Sequence, residues 1–179
     1  MPCAPSYRRP LIMKTINPVL LTLVLLIAVS FSANASPRTR ASRVISPRQL
    51  VVNLYAQHKT RSPFFQTKSR ALLDKFFDRT LAGLLWRDAH TAGGEVGALD
   101  GDPLFNAQDM EIKNFVVGPE TVGAQAAEVP VSFENFGVKH KITFQIVAEK
   151  RGWRISNLLY DEGPSLVDIL RTDQAPPKR

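Results

Sequence analysis

A change in the spacing of apolar residues, at residues 99–109, constrains the fold of this chain more than any other sequence feature. Before this segment, apolar residues recur every three or four positions, as on one face of a helix. After it they recur every second position, as in a half-buried strand. The segment itself combines carboxylates and amides with Gly101 and Pro103, which is typical of turns. The sequence therefore predicts helices, then a polar corner, then strands, and we call residues 99–109 the corner segment.

The part of the chain before the corner segment predicts two helices. Ser46 and Pro47 are typical of a helix start, because a serine hydroxyl accepts a hydrogen bond from a free backbone amide and proline is tolerated in the first turn. This first helix is expected to end near Thr60. A second, longer helix is expected to begin at residues 67–70 and to end before the glycine pair at 93–94. Its buried face is expected to consist of Leu72, Leu73, Phe76, Phe77, Leu81, Leu84 and Leu85.

The part after the corner segment predicts strands and one short helix. Four strands are expected at residues 112–117, 127–134, 138–149 and 153–160, followed by a helix at 165–171. Short turns between the strands favour an antiparallel meander, and Pro130 indicates an edge or a bulge in its strand. The predicted fold class is α+β, with the N-terminal helices packed on one face of a curved four-stranded antiparallel sheet and a short helix at the C-terminal end.

Residues 1–35 have the composition of a secretory signal peptide. Arg8, Arg9 and Lys14 precede an apolar run of about a dozen residues, and residues 33–35 read Ala-Asn-Ala, a cleavage signal. A membrane anchor would need about 20 apolar residues, which is longer than this run. We therefore expect cleavage after Ala35 and a protein that is periplasmic in a bacterial envelope or secreted. The twin-arginine and general secretory routes both stay open, as does a start at Met1 or at Met13.

Composition narrows the function classes for the exported chain. Cys3 is the only cysteine and is lost with the signal peptide, which leaves no thiol for a disulfide, a nucleophile or a metal site. Removal of the three signal-peptide cations lowers the formal net charge from +7 to +4. Much of that charge lies in residues 36–45, expected to be a disordered basic arm, and in the tail at 172–179, also expected to be disordered. The single domain is expected at 46–171, with no basic stripe that would indicate a nucleic acid partner.

Two sequence patterns carry a resemblance to a known family. Residues 100–109 read Asp-x-Asp-Pro-Leu-x-x-x-Gln-Asp, and residues 152–158 read Gly-Trp-Arg-Ile-x-x-Leu. Together with the order of helices and strands, they resemble the YbjP/YqhG family of envelope proteins, within the nuclear-transport-factor-2-like or cystatin-like superfamily. The resemblance covers roughly residues 47–170 and implies a cone-shaped fold. It implies no established activity, because the family is a domain of unknown function. Many members resemble lipoproteins, whereas this chain lacks the cysteine that a lipid needs.

The corner segment is the first candidate site. Four of its polar side chains are the candidate binding residues: Asp100, Asp102, Gln108 and Asp109. A calcium loop of the EF-hand type does not fit, because the positions that need an oxygen ligand and a glycine are occupied by Leu104 and Phe105. In the structural alternative, these polar side chains bond the backbone of the turn, while Leu104 and Phe105 fill the core.

Catalysis is a second hypothesis, which depends on the cone fold that the resemblance implies. Such folds host enzymes in which a carboxylate acts in an apolar cavity beside a tyrosine, and Asp100 or Asp102 with Tyr55 or Tyr160 would supply those residue types. Fold alone does not establish an activity, so we expect no catalysis. Zinc is not expected either, because each histidine lacks a second ligand at helical spacing: His58, His90 and His140.

Two binding hypotheses complete the interpretation. In the first, an apolar pocket between the sheet and the long helix takes a lipid or a small apolar ligand, and its lining consists of Phe76, Phe77, Phe133, Phe144 and Trp153. In the second, the corner segment or an edge strand recognises another envelope protein, as inhibitors and immunity proteins do. The open face of the sheet would also suit a homodimer. The sequence thus predicts a periplasmic binding or accessory protein without a cofactor.

Overall fold

The computed structural model describes residues 45–91 and 97–172, and shows an α+β fold with an antiparallel sheet, as the sequence predicts. The predicted signal peptide, the predicted basic arm up to residue 44, the glycine pair at 93–94 and the predicted tail from 173 lie outside the described residues. The elements, in chain order, are α1 (Pro47–Thr60), α2 (Ala71–Phe76), α3 (Arg79–Thr91), β1 (Ile112–Val117), β2 (Thr121–Val122), β3 (Ala126–Asn135), β4 (Val138–Glu149), β5 (Gly152–Tyr160) and α4 (Leu166–Thr172).

Helix α1 begins and ends where the sequence predicts. Ser46 lies outside the helix, and its hydroxyl accepts a hydrogen bond from the backbone N–H of Gln49 at 3.2 Å, so one free amide of the first turn is paired. Pro47 follows in the first turn, where no N–H is needed. The helix buries one apolar side against the sheet, formed by Leu50, Val51, Leu54 and Tyr55.

The prediction of one long second helix is wrong, because the helix breaks between α2 and α3. Phe77 has an extended backbone and forms a parallel bridge with Ile155 of β5, and the N–H of Asp78 donates to the Ile155 carbonyl at 2.9 Å. The Asp78 carboxylate then accepts from the N–H of Leu81 at 2.7 Å, which caps α3. Pairing with the sheet and a side-chain cap therefore replace the helix hydrogen bonds lost at the break.

The sheet is a meander with strand order β1-β3-β4-β5, all antiparallel, and the short β2 also pairs with β3. Strand β2, which the sequence did not predict, continues the outer edge after an interruption at residues 118–120. Pro130 of β3 faces this interruption and accepts from the Gly118 N–H at 2.8 Å, so its missing N–H leaves no partner unpaired in the ladder. The expectation that Pro130 marks an irregular edge is confirmed.

Strand β1 contains a bulge that decides which of its side chains face the core. The register shifts between Lys113 and Val116, and Asn114 has a φ of 50°, the left-handed conformation that asparagine tolerates better than most residues. In a regular strand, residues 112, 114 and 116 would share a face. With the bulge, Ile112 instead shares the inner face with Phe115 and Val117.

The core lies between the inner face of the sheet and the helices. Leu104 of the corner segment is fully buried in it, and Leu166 and Leu170 of α4 join it from the C-terminal end. The sheet contributes Val129, Val131, Phe133, Ile142, Phe144, Ile146, Ile155 and Leu158. Within residues 45–91 and 97–172, no helix has the length and apolar character needed to span a membrane.

Candidate functional site

Asp102 is the residue around which the corner segment is organised. Its Oδ2 lies 2.6 Å from Nε2 of His58 in α1, and its Oδ1 accepts from the Leu104 N–H at 2.9 Å. Its own N–H donates to the carbonyl of Ala107 at 2.8 Å, which closes the loop on itself. The side chains of Asp102 and His58 are only 13 % and 15 % exposed. Both carboxylate oxygens of Asp102 are therefore already paired in a largely buried position.

Two tyrosines, Tyr55 buried and Tyr160 half-buried, hold the backbone of the same loop. The hydroxyl of Tyr55 donates to the carbonyl of Leu104 at 2.9 Å, and that of Tyr160 donates to the carbonyl of Pro103 at 3.0 Å. Burial raises the pKa of both tyrosines, and the negative charge of Asp102 raises it further. Both hydroxyls therefore stay protonated at neutral pH and remain hydrogen-bond donors.

His58 binds Asp102 with one ring nitrogen and buries the other. Its Nδ1 is inaccessible to solvent and has no hydrogen-bond partner in the part of the chain that the structure describes. When Nε2 carries a proton, it donates to Asp102. His58 is thus placed to hold Asp102 against α1.

Three of the four predicted binding residues line one small cavity, of about 270 Å³, beside the corner segment. Asp100, Asp102 and Gln108 belong to it, together with Tyr160, whereas Asp109 does not. Asp100 and Gln108 make a long hydrogen bond with each other at 3.4 Å. Asp109 is exposed, and its backbone carbonyl accepts from the side chain of Asn135 at 3.1 Å. Only Asp102 of the four is part of the buried cluster.

The residue types of the catalytic hypothesis do meet, because Asp102 lies near both Tyr55 and Tyr160. Their polar atoms, however, are directed to the backbone of the loop and to His58. A general base must reach a substrate proton within hydrogen-bond distance, and here both carboxylate oxygens are already in use. This cluster therefore fits the structural alternative, in which it fixes the turn between helix and sheet.

A larger and mostly apolar cleft lies between α1 and β1. Its volume is about 650 Å³. We call it the apolar cleft; α1, the corner segment and β1 form its lining, which consists of Val52, Tyr55, Ala56, Lys59, Thr60, Phe105, Ile112, Phe115 and Val117. The ring of Tyr55 contacts that of Phe115 with centroids 4.7 Å apart, and that of Phe105 at 5.7 Å. The cleft is therefore bounded by packed aromatic rings.

The five aromatic residues expected to line a pocket lie mainly in the core, although Phe77 also lines a cavity beside the start of α3. Phe76, Phe77, Phe133 and Phe144 are at most 2 % exposed and pack in the core, and Trp153 packs partly buried at the start of β5. None of the five lines the apolar cleft. Sequence reasoning missed Phe105 and Phe115 as lining residues, since their orientation depends on the loop anchor and on the bulge at Asn114. An asparagine inside an apolar run was the one available signal.

Asp88 of α3 is a second buried carboxylate that sequence reasoning missed. It is 6 % exposed, and its Oδ1 accepts from the N–H of Ala98 at 2.8 Å. A side chain at Gly97 would begin only 2.6 Å from that oxygen, so this approach needs glycine. Asp88 thereby fixes the start of the corner segment against α3. Among the described residues, no three His, Cys, Asp or Glu side chains lie close enough to hold a metal ion.

Comparison with known proteins adds no assignment. No protein-family model, no curated protein and no solved structure matches this chain. The corner segment and the apolar cleft are therefore the features from which a function can be inferred.

Proposed function

We propose that this protein is an exported binding or accessory protein of the bacterial envelope, whose ligand is a small apolar molecule with an anionic group. The observation that carries the proposal is the apolar cleft, with its volume of about 650 Å³ and with Lys59 as the single charged residue of its described lining. Export follows from the signal-like sequence of residues 1–35, and the envelope from the resemblance to the YbjP/YqhG family.

The size and lining of the cleft support an apolar ligand. Pockets for small molecules commonly enclose about 300–1,000 Å³ and are lined mainly by apolar and aromatic side chains. Phe115 is 40 % exposed although it faces the cleft, so a ligand would remove apolar surface from water there. Each Å² so buried is worth about 25 cal/mol. The edge-on contacts of Tyr55 with Phe105 and Phe115 keep the walls in place without a ligand.

The charge of the lining supports an anionic group on that ligand. Lys59 is exposed, and no hydrogen bond or ion pair of its ammonium group occurs within the described residues. Among the residues that the structure describes, no carboxylate lines the cleft. A carboxylate at one end of an apolar ligand would therefore gain an attraction at Lys59 without competition, as in a fatty acid.

A catalytic function is less well supported by the same structure. The carboxylate and hydroxyl groups that acid–base chemistry would need belong to the paired cluster of Asp102, Tyr55 and Tyr160. The inhibitor-type alternative would use the exposed Asp100 and Gln108, which are held only by a 3.4 Å contact with each other. The cavity lined by Asp100, Asp102, Gln108 and Tyr160 has a volume of about 270 Å³, against about 650 Å³ for the apolar cleft.

Calorimetry with decanoate and decanol tests the proposal on the purified protein. We expect one decanoate per chain, bound more tightly than decanol because only the acid pairs with Lys59. Ala56→Trp places a large side chain in the cleft from an exposed position of α1 and should abolish binding. Ala71→Trp, at an exposed position of α2 outside the cleft, is the matched control.

A charge variant separates the two parts of the proposal. Lys59→Met keeps an apolar side chain of similar length and should bring the affinity for decanoate down to that for decanol. If neither compound binds, or if Ala56→Trp binds both like the unmodified protein, the cleft is not a ligand site and the proposal fails.

A further inference from the structure

A third cavity lies where the break between α2 and α3 meets the β4–β5 hairpin, and its lining is rich in arginine. Its volume is about 520 Å³. We call it the arginine groove; its charged lining residues are Arg70, Asp74, Arg79, Glu149, Arg151 and Arg154. The apolar cleft shares none of these residues, so the groove is a separate feature of the molecule.

The tertiary structure fixes the walls of the arginine groove. The helix break is held on β5 by the hydrogen bond from the Asp78 N–H to the Ile155 carbonyl, at 2.9 Å. Arg154 crosses from β5 to α2, where its Nε donates to the carbonyl of Asp74 at 3.2 Å, and its Nη1 donates to the carbonyl of Trp153 at 2.8 Å. One guanidinium is therefore held in place before any ligand arrives, which lowers the entropy cost of binding.

The charges in the arginine groove are not balanced. Four guanidinium groups face two carboxylates, and one of these carboxylates, Asp74, already pairs with Arg70 at 3.3 Å. Arg79 and Arg151 have no hydrogen-bond or ion-pair partner in the part of the chain that the structure describes, and both are exposed. The carboxylate of Asp78 lies next to Arg79 in the chain but caps α3. Two cations thus remain available at one place.

We propose that the arginine groove binds the phosphate group of an anionic ligand. A guanidinium presents paired N–H donors that match two oxygens of a phosphate, and the negative charge of that group suits the two unpaired cations at Arg79 and Arg151. The N-terminal amides of α3 do not contribute, because Asp78 occupies that position. The phosphate belongs either to a free phosphorylated molecule or to a lipid headgroup, and both sources present the same chemistry.

Two binding assays distinguish these sources. Titration calorimetry with inorganic phosphate tests the free ligand, and cosedimentation with phosphatidylglycerol vesicles, against phosphatidylcholine vesicles, tests the headgroup. In the assay that shows binding, R79Q/R151Q should weaken it about tenfold or more, because both charge-assisted contacts are lost. The double variant should melt like the unmodified protein, since neither side chain has a partner in the described residues. K139Q/K141Q removes two exposed cations of β4 outside the groove and should leave binding unchanged.

One further variant should strengthen phosphate binding instead of weakening it. Glu149→Gln removes a groove carboxylate that repels phosphate, so it should tighten binding by several-fold. Binding in neither assay, equal loss in the two double variants, or weaker binding by Glu149→Gln would each overturn the proposal.

Discussion

Tyr55 belongs to two regions that treat polar groups in opposite ways. On one side its hydroxyl joins the corner cluster, in which Asp102, His58 and Tyr160 pair with each other or with the loop backbone. On the other side its ring lines the apolar cleft, whose described lining contains one charged residue, Lys59. The corner segment resembles a catalytic site in its residue types, but its buried carboxylate and the two tyrosine hydroxyls are already hydrogen-bonded within the protein. The described lining of the apolar cleft contains no carboxylate or histidine, and its volume stays open.

The role of a carboxylate in a turn depends on its burial and on its hydrogen-bond partners. Asp102 and Asp100 are two residues apart, but the first is buried and fully paired while the second is exposed. A buried polar atom that loses its partner costs about 1–3 kcal/mol, whereas an exposed one returns to water. Substitutions of the buried, paired groups in the corner segment should therefore affect stability, and substitutions in the apolar cleft should affect binding.

The largest effect is expected from Asp102→Ala. This change removes the acceptors of His58 and of the Leu104 N–H together, so the buried donors lose their partners and the loop loses its contact with α1. We expect a loss of about 3 kcal/mol in the free energy of unfolding, measured by urea denaturation.

Asp100→Ala is the matched control in the same segment. Its side chain is exposed and makes one long hydrogen bond, so the free energy of unfolding should change by less than about 0.5 kcal/mol. Equal stability of the two variants would contradict the assignment of Asp102 as the anchor of the corner.

Gly101→Ala should have the next largest effect. A Cβ at this position would lie 2.9 Å from the carbonyl oxygen of Ala107, which receives the Asp102 N–H, so the loop would have to open. We expect a loss of about 2 kcal/mol.

Gly83→Ala, in the middle of α3, should change stability in the other direction. Nothing lies within 4 Å of the added methyl group, and alanine favours a helix over glycine by about 1 kcal/mol. Thermal melts of the two variants should shift in opposite directions. An unchanged or higher melting temperature for Gly101→Ala would mean that the close approach at Gly101 does not constrain the loop.

Alkaline pH should weaken the corner through its tyrosines. An unfolded tyrosine ionises near pH 10, whereas burial keeps Tyr55 and Tyr160 protonated to higher pH in the folded protein. Because the folded pKa is raised, the stability is unaffected below pH 10 and falls above it, by about 1.4 kcal/mol per pH unit for each tyrosine. Urea denaturation from pH 8 to 11 measures this slope. Tyr160→Phe should halve it, and an unchanged slope would show that Tyr160 is not buried in the corner.

A moderate effect on stability, with a clear effect on binding, is expected at the bulge. Asn114→Val puts a β-branched residue at a φ of 50°, which costs about 1–2 kcal/mol and favours a regular strand that turns Phe115 out of the apolar cleft. Decanoate binding should then be lost. Asn114→Gly accepts this backbone conformation and should retain both stability and binding. Loss of binding in both variants would mean that the asparagine side chain, not the bulge, is required.

Local sequence patterns predicted most elements, because their spacing is set by residues close in the chain. The bounds of α1, β1 and β4 agree with the predictions, and the capped start at Ser46 was visible in two adjacent residues. The helix break at Phe77 was not visible, since it depends on pairing with Ile155 in β5. The candidate site divides in the same way: Leu104 was expected in the core, but the lining of the apolar cleft was not predicted.

By itself, the sequence determined the fold class, the order of the elements and the polar corner between helix and sheet. These follow from hydrophobic periodicity and turn residues, which act over a few positions. Only the tertiary structure decided that Asp102 pairs with His58, 44 residues away, and that a bulge turns Phe115 into the apolar cleft. Burial and long-range pairing set both outcomes, because the residues that the rest of the fold places beside a polar group decide whether it is already hydrogen-bonded or available to a ligand.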